Sequence, residues 1–131
     1  MTMVIDTSAV MAILNLEPEA TEFSRAIARN STRLMSMGTA LELSIVVNAR
    51  KQEVGVRELE FFMYKAQIEL VNFDEAQLKM ARYAFDRYGK GRSSASLNFG
   101  DCFAYALSKT TGQPLLFKGN DFSKTDIVGA V

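Results

Sequence analysis

The chain has 131 residues, of which 48% are hydrophobic, and it carries 15 basic and 15 acidic side chains. It contains no histidine and one cysteine, Cys102, which excludes imidazole catalysis and an intramolecular disulfide and argues against a structural zinc site. Because the formal net charge is zero, no overall positive field attracts nucleic acid, and binding of that kind would need a local basic patch.

Length and hydropathy also predict the domain organisation and the compartment. A chain of this size suits one domain with one core, and we expect residues 1–131 to form it. No apolar run reaches the roughly 18 residues of a membrane span. No basic region precedes the first apolar residues, unlike in a secretory signal peptide. We therefore expect a cytoplasmic protein.

Short apolar runs alternate with amphipathic segments along the chain, which predicts strands and helices in turn. In chain order we predict a strand at 3–5, helices at 9–14 and 17–30, a strand at 33–37, helices at 38–51 and 56–66, a strand at 68–73, helices at 75–88 and 102–111, a strand at 114–117 and a short edge strand at 127–131. The basic, glycine- and serine-rich residues 89–96 predict a mobile loop within the domain. This alternation favours a three-layer α/β/α fold around a mainly parallel central sheet of four to five strands.

Three aspartates occupy positions that a parallel sheet would bring together. Asp6 and Asp121 each follow a predicted strand, and Asp101 lies at the start of a predicted helix. In a doubly wound sheet, strand ends and the amino ends of the following helices lie along one edge. Each residue also has a simpler explanation: Asp6 as a helix cap, Asp101 as an acid favoured by the helix dipole, and Asp121 as a turn residue.

Glu42 is a fourth candidate, because periodicity places it on an apolar helix face. At 100° per residue it shares that face with Gly38, Thr39, Ile45 and Val46. A buried carboxylate must be paired, protonated or bound to a metal ion. The alternative is a slightly rotated helix that leaves Glu42 at the edge of the apolar stripe.

Grouped carboxylates repel one another, and a divalent cation relieves that repulsion. Mg²⁺ or Mn²⁺ would suit oxygen ligands of this kind and could activate water for phosphodiester hydrolysis. Ser8 could orient a carboxylate or a metal-bound water, and Asn120 could reach the same pocket. Hydrogen bonding at a helix start and turn formation are the respective alternatives. Cys102 is more typical of a small buried hydrophobe than of a nucleophile.

Several basic side chains could contact a phosphate backbone. They are Arg82, Arg87, Lys90, Arg92 and Lys118. Lys118 lies nearest the expected site, and for the other four a solvated helix face and loop is an equally good explanation.

Four stretches together resemble the PIN-domain ribonucleases, and among them the toxins of VapC-type toxin–antitoxin pairs. They are residues 4–9, Ser36 with Glu42 six residues later, residues 98–106 and residues 115–122. The resemblance spans residues 3 to about 127 and implies a metal-dependent endoribonuclease with a PIN-like fold.

The resemblance also implies roles for individual residues. Asp6, Glu42 and Asp101 match the three core acids that bind Mg²⁺ or Mn²⁺ and position the attacking water. Asp121 matches a fourth and more variable acidic position, and Ser8 matches a small hydroxyl position beside the first acid. An RNA substrate, a homodimer and a small antitoxin that neutralises the enzyme are implied as well.

Two other functions compete with this interpretation. A phosphohydrolase or phosphoacceptor domain also has an aspartate after its first strand. Aspartate-nucleophile phosphatases, however, need a second aspartate where this chain has Ser8, and receiver-type domains need paired acids that residues 2–5 do not provide. A non-catalytic module could use the acids to bind a basic peptide, but grouped buried carboxylates lower stability and favour a bound ion.

Overall fold

Four parallel strands form the central sheet of the computed structural model, which describes residues 1–131. They are β1 (Thr2–Ile5), β2 (Thr32–Ser36), β3 (Ile68–Val71) and β4 (Leu115–Leu116), in the order β3-β2-β1-β4. Val4 of β1 pairs with Leu34 on one side and Leu115 on the other. The predicted parallel sheet is thus confirmed, with β1 in an interior position.

The predicted fifth strand at 127–131 is not formed. That segment makes one isolated bridge, between Leu115 and Gly129. Two backbone hydrogen bonds hold it, from Leu115 N to Val128 O and from Ala130 N to Leu115 O, both 2.9 Å. The outer edge of the two-residue strand β4 therefore carries a single bridge in place of a fifth strand.

Five α-helices and a 3₁₀ turn connect the strands and cover the sheet. The helices are α1 (Thr7–Leu14), α2 (Ala20–Arg29), α3 (Met37–Lys65), α4 (Glu75–Tyr88) and α5 (Phe99–Thr111), and the 3₁₀ turn is Phe122–Lys124. Asp74 caps helix α4, while α5 begins three residues earlier than predicted because Asn98 caps it. None of these helices combines the length and the hydrophobicity that a membrane span requires.

Alternate side chains of the interior strand enter two apolar cores, one on each face of the sheet. Met3 and Ile5 pack in the core that lies under α1, α2 and α3. Val4 packs on the opposite face with Tyr105 and Leu107 of α5. This alternation is the period of a strand that is buried on both sides, and it gives the three-layer α/β/α arrangement that the sequence predicts.

Backbone hydrogen bonds join the two ends of the glycine- and serine-rich segment between α4 and α5. Lys90 N donates to Leu97 O (2.8 Å), and Leu97 N donates to Tyr88 O (2.9 Å). Ala95 and Leu97 are buried, so this segment contributes to the second core. The mobility expected of residues 89–96 stays a prediction.

Helix α3 is broken at Gln52, whose backbone has φ 55° and ψ −147°. The break separates the two helices predicted at 38–51 and 56–66. Gly55 lies close to the preceding turn, and a Cβ there would overlap the Lys51 side chain and come within 3.0 Å of Val47. The chain therefore turns sharply after Lys51 and uses a glycine at the tightest contact.

Replacement of the strained residue should stabilise the protein. A non-glycine residue in this backbone region costs about 1–3 kcal/mol, so we expect Gln52→Gly to raise the free energy of unfolding by about 1 kcal/mol. The matched control is Glu53→Gly, in helical backbone, which should lower it by about 0.5–1 kcal/mol. Urea denaturation followed by circular dichroism measures both, and equal losses in the two variants would contradict the strain argument.

Candidate active site

An acidic cleft of about 450 Å³ opens at the carboxyl edge of the sheet, beside the ends of β1 and β4. Five carboxylates and two basic side chains are among the residues that line it: Asp6, Glu17, Glu42, Asp101, Asp121, Arg50 and Lys118. The structure therefore brings together the four acids that the sequence selects, although they are far apart along the chain. Their roles in catalysis and metal binding stay predictions at this point.

Asp6 ends the interior strand β1 and is only 3% exposed. Its Oδ2 accepts hydrogen bonds from the backbone N of Ser8 (3.0 Å) and from Ser8 Oγ (2.6 Å), so Asp6 also caps α1. Its Oδ1 is buried without a hydrogen-bond partner. Burial raises the pKa of Asp6 to about 6, despite the Ser8 hydrogen bonds, and the charge of Glu42 adds to the increase. An unpartnered, buried carboxylate oxygen in an acidic cleft is a site for a proton or a cation.

Ser8 links Asp6 to the turn that follows β4. While its Oγ donates to Asp6, the same oxygen accepts a hydrogen bond from the backbone N of Lys118 (2.9 Å). The hydroxyl therefore fixes the orientation of the Asp6 carboxylate relative to the turn that carries Asp121.

Glu42 does not face the core, so the predicted orientation of its helix was wrong. The fully buried positions of this part of α3 are Thr39, Leu43 and Val47, whereas Ile45 is 60% exposed. The helix is rotated by about one residue, which buries the aliphatic Leu43 and leaves the carboxylate at the edge of the stripe. This is the alternative that the periodicity left open, and Glu42 still lines the cleft.

Thr7 and Gly100 hold Glu42 in place, and the sequence pattern assigned neither of them this role. Thr7 Oγ1 donates a hydrogen bond to Glu42 Oε1 (2.6 Å). Gly100 lies in the first turn of α5, where a Cβ would overlap the Glu42 carboxylate. The visible signals were a hydroxyl residue beside Asp6 and a glycine beside Asp101.

Asp101 has two roles in the structure, because it caps its helix and lines the cleft. Its Oδ2 accepts from the backbone N of Asn98 (3.0 Å), while Asn98 Oδ1 accepts from the backbone N of Asp101 (2.9 Å). Burial raises the pKa of Asp101 to about 7 against the Asn98 hydrogen bond, and the charges of Asp6, Asp121 and Glu42 raise it further. Asp101 is thus electrostatically coupled to the other three candidate acids.

The turn after β4 places its two candidate residues differently. Asp121 is exposed and lines the cleft. Asn120 is exposed outside the cleft, and its backbone carbonyl accepts a hydrogen bond from Ser123 Oγ (2.9 Å). The structure therefore gives Asn120 its turn role and does not bring its side chain to the acids.

The four basic candidates from α4 and the following segment lie outside the cleft. The Arg92 guanidinium is 3.8 Å from the Asp86 carboxylate, and the Arg87 guanidinium lies 5.6 Å from the centre of the Tyr88 ring. Arg82 lines a separate apolar groove, and Lys90 is exposed. The geometry of the cleft gives these residues no contact with a substrate bound there, so their RNA-binding role stays a prediction.

Cys102 is buried one residue beyond Asp101. Burial and the charge of Asp101 raise the pKa of its thiol to about 11, so the thiol is protonated near neutral pH. It is therefore a packing residue and not a thiolate nucleophile.

The donor set of the cleft fits a hydrated divalent cation better than a closed protein cage. No three acidic side chains lie close enough together to form a ready-made ligand cluster. Like charges repel, and hydrogen bonds from Thr7 and Asn98 hold two of the carboxylates in place. Mg²⁺ usually binds through one or two carboxylates and several waters, and Asp6 Oδ1 offers an unoccupied oxygen for this purpose.

Fold and site together define a parallel α/β/α domain with clustered carboxylates at the carboxyl edge of its sheet. The PIN domain family model matches residues 3–128, and the chain belongs to the PIN-domain family. The resemblance noted in the sequence is thereby confirmed.

Similar proteins extend this result. The chain is 50% identical over 125 residues to VapC ribonuclease Mb0640 of Mycobacterium bovis, with 95% of each chain covered. It is 51% identical to Ribonuclease VapC of Mycolicibacterium smegmatis, with 95% of this chain and 97% of that protein covered. The fold is similar to the crystal structure of Mycobacterium tuberculosis VapC20, which is described as a sarcin-ricin loop cleaving toxin (TM-score 0.76, 16% identity, 96% of each chain).

The raised pKa of Asp101 predicts how stability depends on pH. The folded protein binds this proton more tightly than the unfolded chain does, because the pKa of Asp101 falls from about 7 when folded to the ordinary 3.8. The free energy of unfolding should therefore rise as the pH falls from about 7 to 4.

Asp101→Asn should weaken this pH dependence and, without added metal, stabilise the protein at pH 8 by about 1 kcal/mol. The amide oxygen can still accept the Asn98 hydrogen bond. Urea titrations of both proteins in EDTA at pH 5 and pH 8 measure the effect. A variant that is less stable than the wild type at pH 8 would show that the carboxylate is not strained there.

Proposed function

We propose that the protein is a metal-dependent endoribonuclease that acts as the toxin of a toxin–antitoxin pair. One observation carries the proposal: the buried and partly unpartnered Asp6 shares a cleft with Glu42, Asp101 and Asp121 in a chain of the PIN-domain family. The relatives that are about half identical over nearly the whole chain are named VapC ribonucleases, which supports RNA as the substrate.

The cofactor that we propose is Mg²⁺ or Mn²⁺, held by Asp6 and Asp101 with Glu42 and Asp121 as further acidic ligands, directly or through water. When bound, a divalent cation lowers the pKa of a coordinated water and neutralises charge on the phosphoryl group. The oxygen-only donor set and the absence of histidine from the chain support this choice.

The protein's own groups hold the carboxylates in place. Ser8 orients Asp6, Thr7 orients Glu42, and the backbone of Asn98 orients Asp101. Each of these three acids thus uses one oxygen in a protein hydrogen bond and can offer the other to the cleft. Such an arrangement positions ligands before the substrate arrives, which reduces the reorganisation needed for reaction.

The proposed protein partners are a cognate antitoxin and a second copy of the chain. A solved toxin–antitoxin complex from Klebsiella pneumoniae has a similar fold (TM-score 0.70, 16% identity), which supports an antitoxin partner. The homodimer is supported by exposed apolar side chains of Leu41, Ile45 and Phe99 beside the cleft. We also propose that residues 1–131 form a single domain and that the protein acts in the cytoplasm.

The catalytic proposal is tested by removing one carboxylate at a time. Asp6→Asn and Asp101→Asn should each lower the rate of RNA cleavage about 100-fold or more, while circular dichroism shows a folded protein. Asp74→Asn is the matched control, because Asp74 is exposed outside the cleft and asparagine is an equally good helix cap. The measurement is gel analysis of transfer and ribosomal RNA.

EDTA should stop cleavage by the wild-type protein, and added Mg²⁺ or Mn²⁺ should restore it. Undiminished cleavage in EDTA, or full activity of Asp101→Asn, would refute the proposal. A phosphoryl group trapped on Asp6 by a phosphodonor would instead indicate a phosphoacceptor domain.

Metal binding should also be visible as a gain in stability, independently of activity. At a concentration of Mn²⁺ 100 times its dissociation constant, we expect the free energy of unfolding to rise by about 2.7 kcal/mol. Thermal melts with and without Mn²⁺ at pH 7.5 measure this gain. The increase should be largely lost in Asp6→Asn and retained in Asp74→Asn, and an equal increase in all three proteins would place the ion elsewhere.

A further inference from the structure

The acidic cleft should repel RNA, the proposed substrate, because both are negatively charged. RNA carries one negative charge per phosphate, whereas five carboxylates line the cleft and only two basic side chains, Arg50 and Lys118, join them. The proposed metal ion would compensate the acids near the scissile phosphate, and a basic side chain would add affinity for an adjoining phosphate. The question is which of the two basic residues is available to a substrate.

Lys118 is already engaged by the protein. Its ammonium group forms an ion pair with Glu17 and lies 3.4 Å from Glu19 Oε1. Its backbone N is bound to Ser8 Oγ. These contacts join the turn after β4 to the segment between α1 and α2, so Lys118 serves as a structural tether, although its position in the sequence suggested a phosphate contact.

Arg50 is the other basic residue of the cleft. Its charge adds to the Lys118 contact that lowers the pKa of Glu17, but its guanidinium forms no ion pair. It is exposed, no carboxylate lies within 4.0 Å of it, and its side chain makes no hydrogen bond within the protein. The neighbouring Lys51 is occupied, since its ammonium contacts Glu58 and the carbonyl of Leu14. Arg50 thus has its full hydrogen-bonding capacity available in the cleft.

The spacing along α3 relates Arg50 to the acidic site. Glu42, Val46 and Arg50 follow one another at intervals of four residues, and all three line the cleft. With a rise of about 1.5 Å per residue, Arg50 lies about 12 Å beyond Glu42 along the helix axis. A strand that leaves the acids along this wall of the cleft therefore reaches the guanidinium.

We propose that Arg50 binds a backbone phosphate of the RNA on one side of the scissile bond, and that the strand runs along α3 from Glu42 towards Arg50. This inference rests on the proposed ribonuclease function and assigns a substrate-binding residue to it. Arginine suits the task because its planar guanidinium donates two parallel hydrogen bonds to phosphate oxygens.

The test compares RNA binding by Arg50→Ala and Arg50→Lys, each combined with Asp101→Asn so that the substrate is not consumed. Arg57→Ala is the matched control, an exposed arginine of α3 that lies beyond the break at Gln52 and outside the cleft. The probe is a fluorescent single-stranded RNA that contains the bond cut by the wild-type protein. We expect Arg50→Ala to weaken binding roughly fivefold and to reduce the slope of log affinity against log salt by about 0.7, the value for one lost phosphate contact on a single strand.

A second arm locates the phosphate. Methylphosphonate is placed at one linkage at a time, which removes one backbone charge from the probe. At one modified linkage, the Arg50→Ala variant and the protein that retains Arg50 should bind the probe equally well. The phosphate charge that Arg50 contacts is missing from that probe, so the arginine adds no affinity.

In the otherwise wild-type protein, Arg50→Ala should raise KM about as much as it weakens binding and leave kcat nearly unchanged, whereas a structural defect would lower kcat and the thermal midpoint.

The outcomes separate this inference from the proposal on which it rests. If the wild-type protein cleaves RNA and Arg50→Ala matches Arg57→Ala in affinity and salt slope, Arg50 is not a phosphate ligand and the ribonuclease proposal stands. If no single methylphosphonate removes the difference between the proteins, the assigned strand path is wrong. If the wild-type protein cleaves no RNA, both proposals fail.

Discussion

The burial of Asp6 at the end of an interior strand is the constraint on which the rest of the site depends. Parallel pairing on both sides of β1 fixes where this carboxylate lies, and the two apolar cores keep water away from it. Its charge is then unfavourable unless a proton or a cation is present. The surrounding hydrogen bonds use only one of its oxygens, which leaves a strong and localised preference for a positive partner.

Grouping the carboxylates in one cleft suits metal binding but lowers the stability of the folded protein. Burial raises the pKa of Asp101, and the charges of Asp6, Asp121 and Glu42 raise it further, so part of the folding free energy is lost to repulsion between like charges. Short hydrogen bonds from Thr7 and Ser8, together with the cap formed by Asn98, keep the carboxylates from separating. Sites that are pre-organised for charged reactants commonly show this trade between stability and activity.

The sequence predicted the parts of the structure that depend on local pattern. Strand ends and helix starts located Asp6 and Asp101 correctly, because the topology of a parallel sheet sends both to one edge. The predicted orientation of Glu42 towards the core was wrong, because helical periodicity cannot distinguish helices that differ by a rotation of about one residue. The engagement of Lys118 depends on ion pairs with a distant segment, and Arg50 has no such pair. No local sequence pattern records either fact.

The break at Gln52 has a consequence for the size of the substrate that the cleft can hold. It ends the straight part of α3 only two residues after Arg50, so the helical wall that starts at Glu42 is about 15 Å long. Such a wall has room for a few nucleotides. Discrimination between long, folded RNA molecules must then come from surfaces outside the cleft, and a change in those surfaces could redirect the enzyme without altering its acidic centre.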